Sequence, residues 1–161
     1  MATTLASRYS DRFRGILSER AVNNLLSEEW TSDIGTLFRI EHGPDHLSDP
    51  EEYARMSPVN RVRDIDVPML IIHSEDDLRC PISQAEELFV ALRLLDKPVD
   101  FYRFPAENHE LSRSGSPVHR QMRAEIILDW FAEHTAPRRK PAKRAAAATT
   151  GRARRSGRAG R

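Results

Sequence analysis

One stretch constrains this chain more than any other: Pro68 to Pro81, reading Pro-Met-Leu-Ile-Ile-His-Ser-Glu-Asp-Asp-Leu-Arg-Cys-Pro. Its apolar run, Met69 to Ile72, is short, unbroken and bounded by a proline and by polar residues. Such a run suits a strand buried on both faces, as in a parallel sheet covered by helices. It ends in three acids, Glu75, Asp76 and Asp77, followed by Arg79 and then Pro81, a residue suited to the first turn of a helix. In open α/β sheets, functional groups collect on loops beyond the carboxyl ends of strands. Asp77 and Arg79 are therefore candidate site residues. On composition alone, an acid capping a strand-to-helix turn explains them equally well.

Beyond this turn the pattern stays clear. Ile82, Ala85, Leu88, Phe89, Leu92 and Leu95 recur at helical spacing and predict an amphipathic helix. Val99 to Phe104, with aromatic and β-branched members, predicts a strand. Pro105 to Glu110 reads as a loop, and a last helix over 117–134 gathers Met122, Ile126, Ile127, Trp130 and Phe131 on one side. Strand, helix, strand, helix in this spacing predicts a parallel α/β layer. His109 follows the second strand directly, one strand later than Asp77, and is a further candidate.

Upstream the signals are weaker. Leu5, Tyr9 and Phe13 outline a helical face over 2–13. Ala21 to Leu26 reads as a strand, and Trp30 to Ile40 as a short helix broken at His42-Gly43-Pro44. Asp49-Pro50 starts a capped helix that ends near Met56. His42 and His46, four apart beside Asp45, would suit a metal only on a regular helix. Gly43 and Pro44 preclude one, so this segment reads as a solvated loop.

Composition adds an asymmetry. The chain has 25 basic and 24 acidic residues, for a net charge of +1. From Pro137 to Arg161 there are ten Arg or Lys and no acid, which leaves residues 1–136 at about −9. That last stretch holds no large apolar residue, so the reading is one domain over 1–136 and a disordered basic tail over 137–161. A single cysteine precludes an internal disulfide and fits a reducing compartment. No signal-peptide core and no bilayer-spanning apolar run is present, and the chain reads as soluble and cytoplasmic.

The segment Leu-Ile-Ile-His-x-Glu-Asp-Asp-x-Arg-x-Pro with Gln84, and the loop Phe-Pro-x-Glu-Asn-His-Glu-Leu, are similar to two segments of the prolyl oligopeptidase family of serine peptidases. This includes its acylaminoacyl-peptidase-like and dipeptidyl-peptidase-like branches. Cys80 departs from the pattern, which usually has a small aliphatic residue there. The resemblance implies an α/β-hydrolase fold of which this chain is the C-terminal half, a short parallel sheet flanked by helices. It implies Asp77 as the triad acid, His109 as the triad base, and Arg79 as the arginine that hydrogen-bonds a substrate carbonyl. The order acid then histidine agrees with that of α/β-hydrolases. Arg79's alternative is a salt bridge to Glu75 or Asp76. The resemblance calls for no cofactor and no metal; its substrates are peptides or acyl-peptides.

No Gly-x-Ser-x-Gly occurs in the chain. Asp11-Arg12-Phe13-Arg14 and Ser18-Glu19-Arg20 resemble the family's sequence just downstream of its nucleophilic serine, so Met1 is expected to fall just past that serine. Two readings follow. One is a serine-peptidase catalytic segment, from a truncated reading frame or completed elsewhere, inactive alone and prone to self-association through an open sheet edge. The other is a non-catalytic protein that binds nucleic acid or another polyanion through its basic tail.

Overall fold

Met69–Ser74 forms the central strand of the sheet, and all six of its residues are buried. The fold, seen in a computed structural model that describes residues 1–43 and 45–136, runs α1 (Ala2–Arg8), β1 (Ile16–Glu19), α2 (Leu25–Thr31), α3 (Phe38–His42), α4 (Pro50–Met56), β2 (Met69–Ser74), α5 (Ser83–Leu94), β3 (Val99–Phe104), α6 (Leu111–Ser114) and α7 (Pro117–Thr135). The sheet order is β1-β2-β3 and both pairings are parallel. Because side chains alternate along a strand, β2 feeds two cores. Met69 and Ile71 join Ala6, Ile16, Leu88 and Leu92 on one face. Leu70 and Ile72 meet Phe104, Leu111 and Trp130 on the other. The expected parallel layer with helices on both sides is present, and the strand ends that carry the acid turn and the histidine loop point the same way.

Four upstream expectations need correction. The first helix stops at Arg8, and Ser10–Arg12 is a 3-10 turn. There Ser10 Oγ donates to Ala6 O at 2.8 Å and accepts from the N–H groups of Asp66 and Val67 at 2.7 and 3.1 Å, tying the turn to the approach of β2. The strand lies at Ile16–Glu19 and not at Ala21–Leu26. Asn23 and Asn24 instead turn the chain around the buried Gln84 side chain, whose Oε1 accepts both their N–H groups at 2.8 and 2.7 Å. Asn24 Oδ1 then caps α2 by accepting from Leu26 N.

The helix expected over Trp30–Ile40 is split into α2 and α3 by the turn at Ser32–Gly35. A Cβ at Gly35 would lie 2.0 Å from Glu29 O, so only glycine lets the chain pass so close to the end of α2. Finally, the His42–His46 segment is not simply a solvated loop. His42 ends α3, and His46 stands between the rings of Trp30 and Tyr53, with its N–H on Glu29. Among the described residues no cluster of His, Cys, Asp or Glu could hold a metal ion.

The capped helix is as expected, with Asp49 Oδ1 accepting from Glu52 N at 3.0 Å and Pro50 in the first turn. The basic segment 137–161 lies outside the described residues. No helix among those described is long and apolar enough to cross a membrane.

Candidate active site

The turn after β2 folds around one carboxyl group. Asp77 is buried, and its Oδ1 accepts the N–H groups of Arg79 at 3.0 Å and Cys80 at 2.8 Å. The backbone of its own turn thereby fixes the carboxyl. His109 Nδ1 approaches the same group, 2.9 Å from Oδ2 and 3.1 Å from Oδ1. A carboxylate can only accept, so Nδ1 carries the proton and Nε2 of the neutral ring keeps its lone pair. Among the described residues no hydroxyl is hydrogen-bonded to Nε2.

The two loops are joined through their backbones as well. Asp76 N donates to Glu107 O at 3.0 Å. The buried Glu107 carboxylate accepts from Ser116 N at 2.9 Å and pairs with His119 Nδ1 at 2.8 Å, which fixes the histidine loop to the start of α7. On the other side, Arg20 Nη1 donates to the His109 carbonyl at 2.8 Å.

Beneath Asp77 the surroundings are dry. His73 donates from Nε2 to Cys80 O at 2.7 Å, with Asp77 Oδ2 3.5 Å away. Burial lowers its pKa, which keeps the ring neutral with the proton on Nε2. Burial, with the nearby charges of Glu28 and Asp77, pushes the Cys80 thiol up to about 12. Cys80 is thus a thiol at neutral pH and no nucleophile. Glu28, on α2, is fully buried with neither carboxyl oxygen hydrogen-bonded. Burial first, and the charge of Asp77 second, push it up to about 7.

Arg79 does not pair with Glu75 or Asp76. Its Nε donates to Asp33 Oδ1 at 2.8 Å, and Ser32 Oγ and Asp33 N bond the carbonyls of Arg79 and Leu78 at 2.7 and 2.8 Å. The arginine lowers the Asp33 carboxyl below its ordinary value. Glu75 pairs instead with Arg103. Of the expected site residues, Asp77 and His109 are in direct contact, and Arg79 stands on the same turn with its guanidinium half-exposed over Asp33. Arg20, Glu28 and Asp33 also surround them. Their partners lie some fifty to ninety residues away in sequence, and no local pattern marks them.

The sequence profile of the prolyl oligopeptidase family matches residues 1–138. An uncharacterized peptidase of Bacillus subtilis, YuxL, is 39% identical over 128 residues, covering 78% of this chain and 19% of its own length. Among solved structures, the uncomplexed acylaminoacyl peptidase of Pyrococcus horikoshii superposes with a TM-score of 0.79 at 30% identity, over 86% of this chain and 23% of the other. An acylaminoacyl peptidase in complex with Z-Gly-Gly-Phe-chloromethyl ketone gives 0.75 at 32%, over 80% and 21%. The chain therefore spans about a fifth of the length of these relatives. Its parallel sheet and flanking helices are part of an α/β-hydrolase fold. With strand, acid turn and histidine loop all inside the matched region, the chain belongs to the prolyl oligopeptidase family.

Proposed function

We propose that this chain supplies the acid and the base of a serine-peptidase site, Asp77 and His109, with Arg79 as a substrate-binding group. The observation that carries the reading is the 2.9 Å contact from His109 Nδ1 to a buried carboxylate, which leaves Nε2 open. A serine hydroxyl is a weak nucleophile until a base within hydrogen-bond reach takes its proton. His109 Nε2 accepts that proton as the hydroxyl oxygen bonds the scissile carbonyl carbon, and returns it to the amine as the carbon–nitrogen bond breaks. Water then repeats the sequence on the acyl-serine and restores the hydroxyl. Asp77 holds the tautomer and stabilises the imidazolium formed at each step. Arg79 keeps guanidinium donors beyond the two given to Asp33, and these suit a substrate carbonyl. The peptidic ligand of the acylaminoacyl peptidase complex supports peptides or acyl-peptides as the substrate class.

The nucleophile in this reading is not among the 161 residues, which contain no Gly-x-Ser-x-Gly. A fluorophosphonate probe tests it. The 161-residue chain should remain unlabelled. The same chain joined to an upstream segment that carries a Gly-x-Ser-x-Gly elbow should label, and His109→Ala should abolish the labelling. Stoichiometric labelling of the 161-residue chain at one of its own serines would overturn the reading, as would labelling of the extended chain that ignores His109→Ala.

A further inference from the structure

We propose that Arg20 is a positioning residue for His109, holding the imidazole over Asp77 through its backbone; the inference rests on the acid–base reading above. Arg20 directly follows β1 and adopts φ 49°, a left-handed conformation uncommon for a residue with a Cβ. Its N–H still reaches Ile72 O at 3.4 Å, so the strand register runs up to this residue. From there its Nη1 meets the carbonyl of His109, 89 residues away in sequence. Strands in a sheet lie about 4.8 Å apart, so β1 and β3 are separated by roughly twice that. Closing that gap takes a long side chain as well as a histidine loop that folds back over β2.

The guanidinium has no carboxylate partner among the described residues. Arg39, Arg55, Arg79, Arg103, Arg113 and Arg123 each have at least one. The side-chain hydrogen bond Arg20 does make is to the one carbonyl that belongs to the candidate base. The histidine loop is thus held on two sides. Glu107 ties its first half to the acid turn and to α7, while Arg20 ties its second half to β1. The loop also contains Ala106 at φ 55°, a conformation that needs support from its surroundings. With both ties in place, the ring can meet Asp77 without ordering the loop at each encounter.

The test uses the 161-residue chain and the Nδ1–H proton of His109 observed by NMR with nitrogen-labelled histidine. Bonded to a buried carboxylate, that proton should give a low-field line that exchanges slowly with water. In Arg20→Gly the line should be lost, or exchange about tenfold faster or more, as expected for removal of a hydrogen bond from a charged donor. Glycine accepts φ 49° without strain, which offsets part of that loss, so the variant should still unfold cooperatively. Millimolar guanidinium should restore the line, while sodium chloride at equal ionic strength should not. Should Arg20→Gly fail to fold, Arg20→Lys, charged but too short for the carbonyl, should show the same loss. A line that stays sharp and slow in a folded variant would overturn the proposal. Absence of the line from the unaltered chain would instead remove the Asp77–His109 pairing on which both readings stand.

Discussion

At Glu28 the protein places a carboxyl group where no water reaches it and no donor is bonded to either oxygen. The neighbouring Cys80 thiol is at best a weak donor. Burial therefore favours the protonated form, with a pKa of about 7 against an ordinary 4.5. The native state holds this proton more tightly than the unfolded chain does. Its contribution to stability is full below about pH 4.5 and is lost as the pH rises through about 7. The difference corresponds to on the order of 3 kcal/mol. His73 works against it. Burial lowers its pKa, so its contribution is present above the ordinary imidazole value and is lost as the pH falls below it. The two limbs overlap, and the informative quantity is the difference between variant and parent. Glu28→Gln should gain about 2–3 kcal/mol relative to the parent between about pH 4.5 and about pH 8, measured by urea unfolding. A constant difference across that range would mean that Glu28 finds solvent or a donor. A second prediction belongs to Asp77. Asp77→Asn retains an oxygen for the two backbone N–H groups but can turn an amide N–H toward the ring. The His109 proton should then move from Nδ1 to Nε2, readable in imidazole nitrogen shifts, and Nε2 would no longer serve as a base.

Between elements, the site depends on loops fastened to helices. Gly115 shows how closely: a Cβ there would lie 2.6 Å from Glu107 Oε2 and 2.6 Å from Leu111 O. Gly115→Ala should therefore push Glu107 off Ser116 and His119 and destabilise the protein by about 1–3 kcal/mol, an overpacking effect visible in urea unfolding. The downstream elements were readable because each combines a period with punctuation. β2 is an apolar run between Pro68 and an acid turn, β3 matches Val99–Phe104 as expected, and α5 and α7 keep a helical apolar face. β1 was not. Its four residues are too few to show a period, and the apolar letters of Ala21 to Leu26 outweighed Asn23 and Asn24, whose turn depends on Gln84 about sixty residues later. The same reason separates the site residues. Asp77 and His109 sit at strand ends, where position carries meaning, whereas Asp33, Glu28 and Arg20 gain theirs only from chain segments brought together by the fold.

For the molecule as a whole, the two edges of the sheet differ. β3 carries Asp100 and Arg103, charges of the kind that discourage pairing with another chain. β1 is guarded less well. The N–H groups of Ile16 and Arg20 both point to β2, at Pro68 O and Ile72 O. Successive N–H groups of a strand face opposite sides, so those of Leu17 and Glu19 face away from the sheet, where the described residues offer no strand. Of the four residues of β1 only Glu19 is charged. Tyr9 and Phe13, on the segment that leads into β1, are 44% and 39% exposed and add apolar surface. We therefore expect the 161-residue chain to self-associate through β1, with a weight-average mass in sedimentation that rises with concentration. Leu17→Pro removes an outward donor and leaves the inward ladder intact, a change that an edge strand tolerates. It should lower the association while retaining the far-ultraviolet dichroism of the fold. If the parent sediments as a monomer at all concentrations, or if Leu17→Pro associates as strongly as the parent, the open edge of β1 is not the contact.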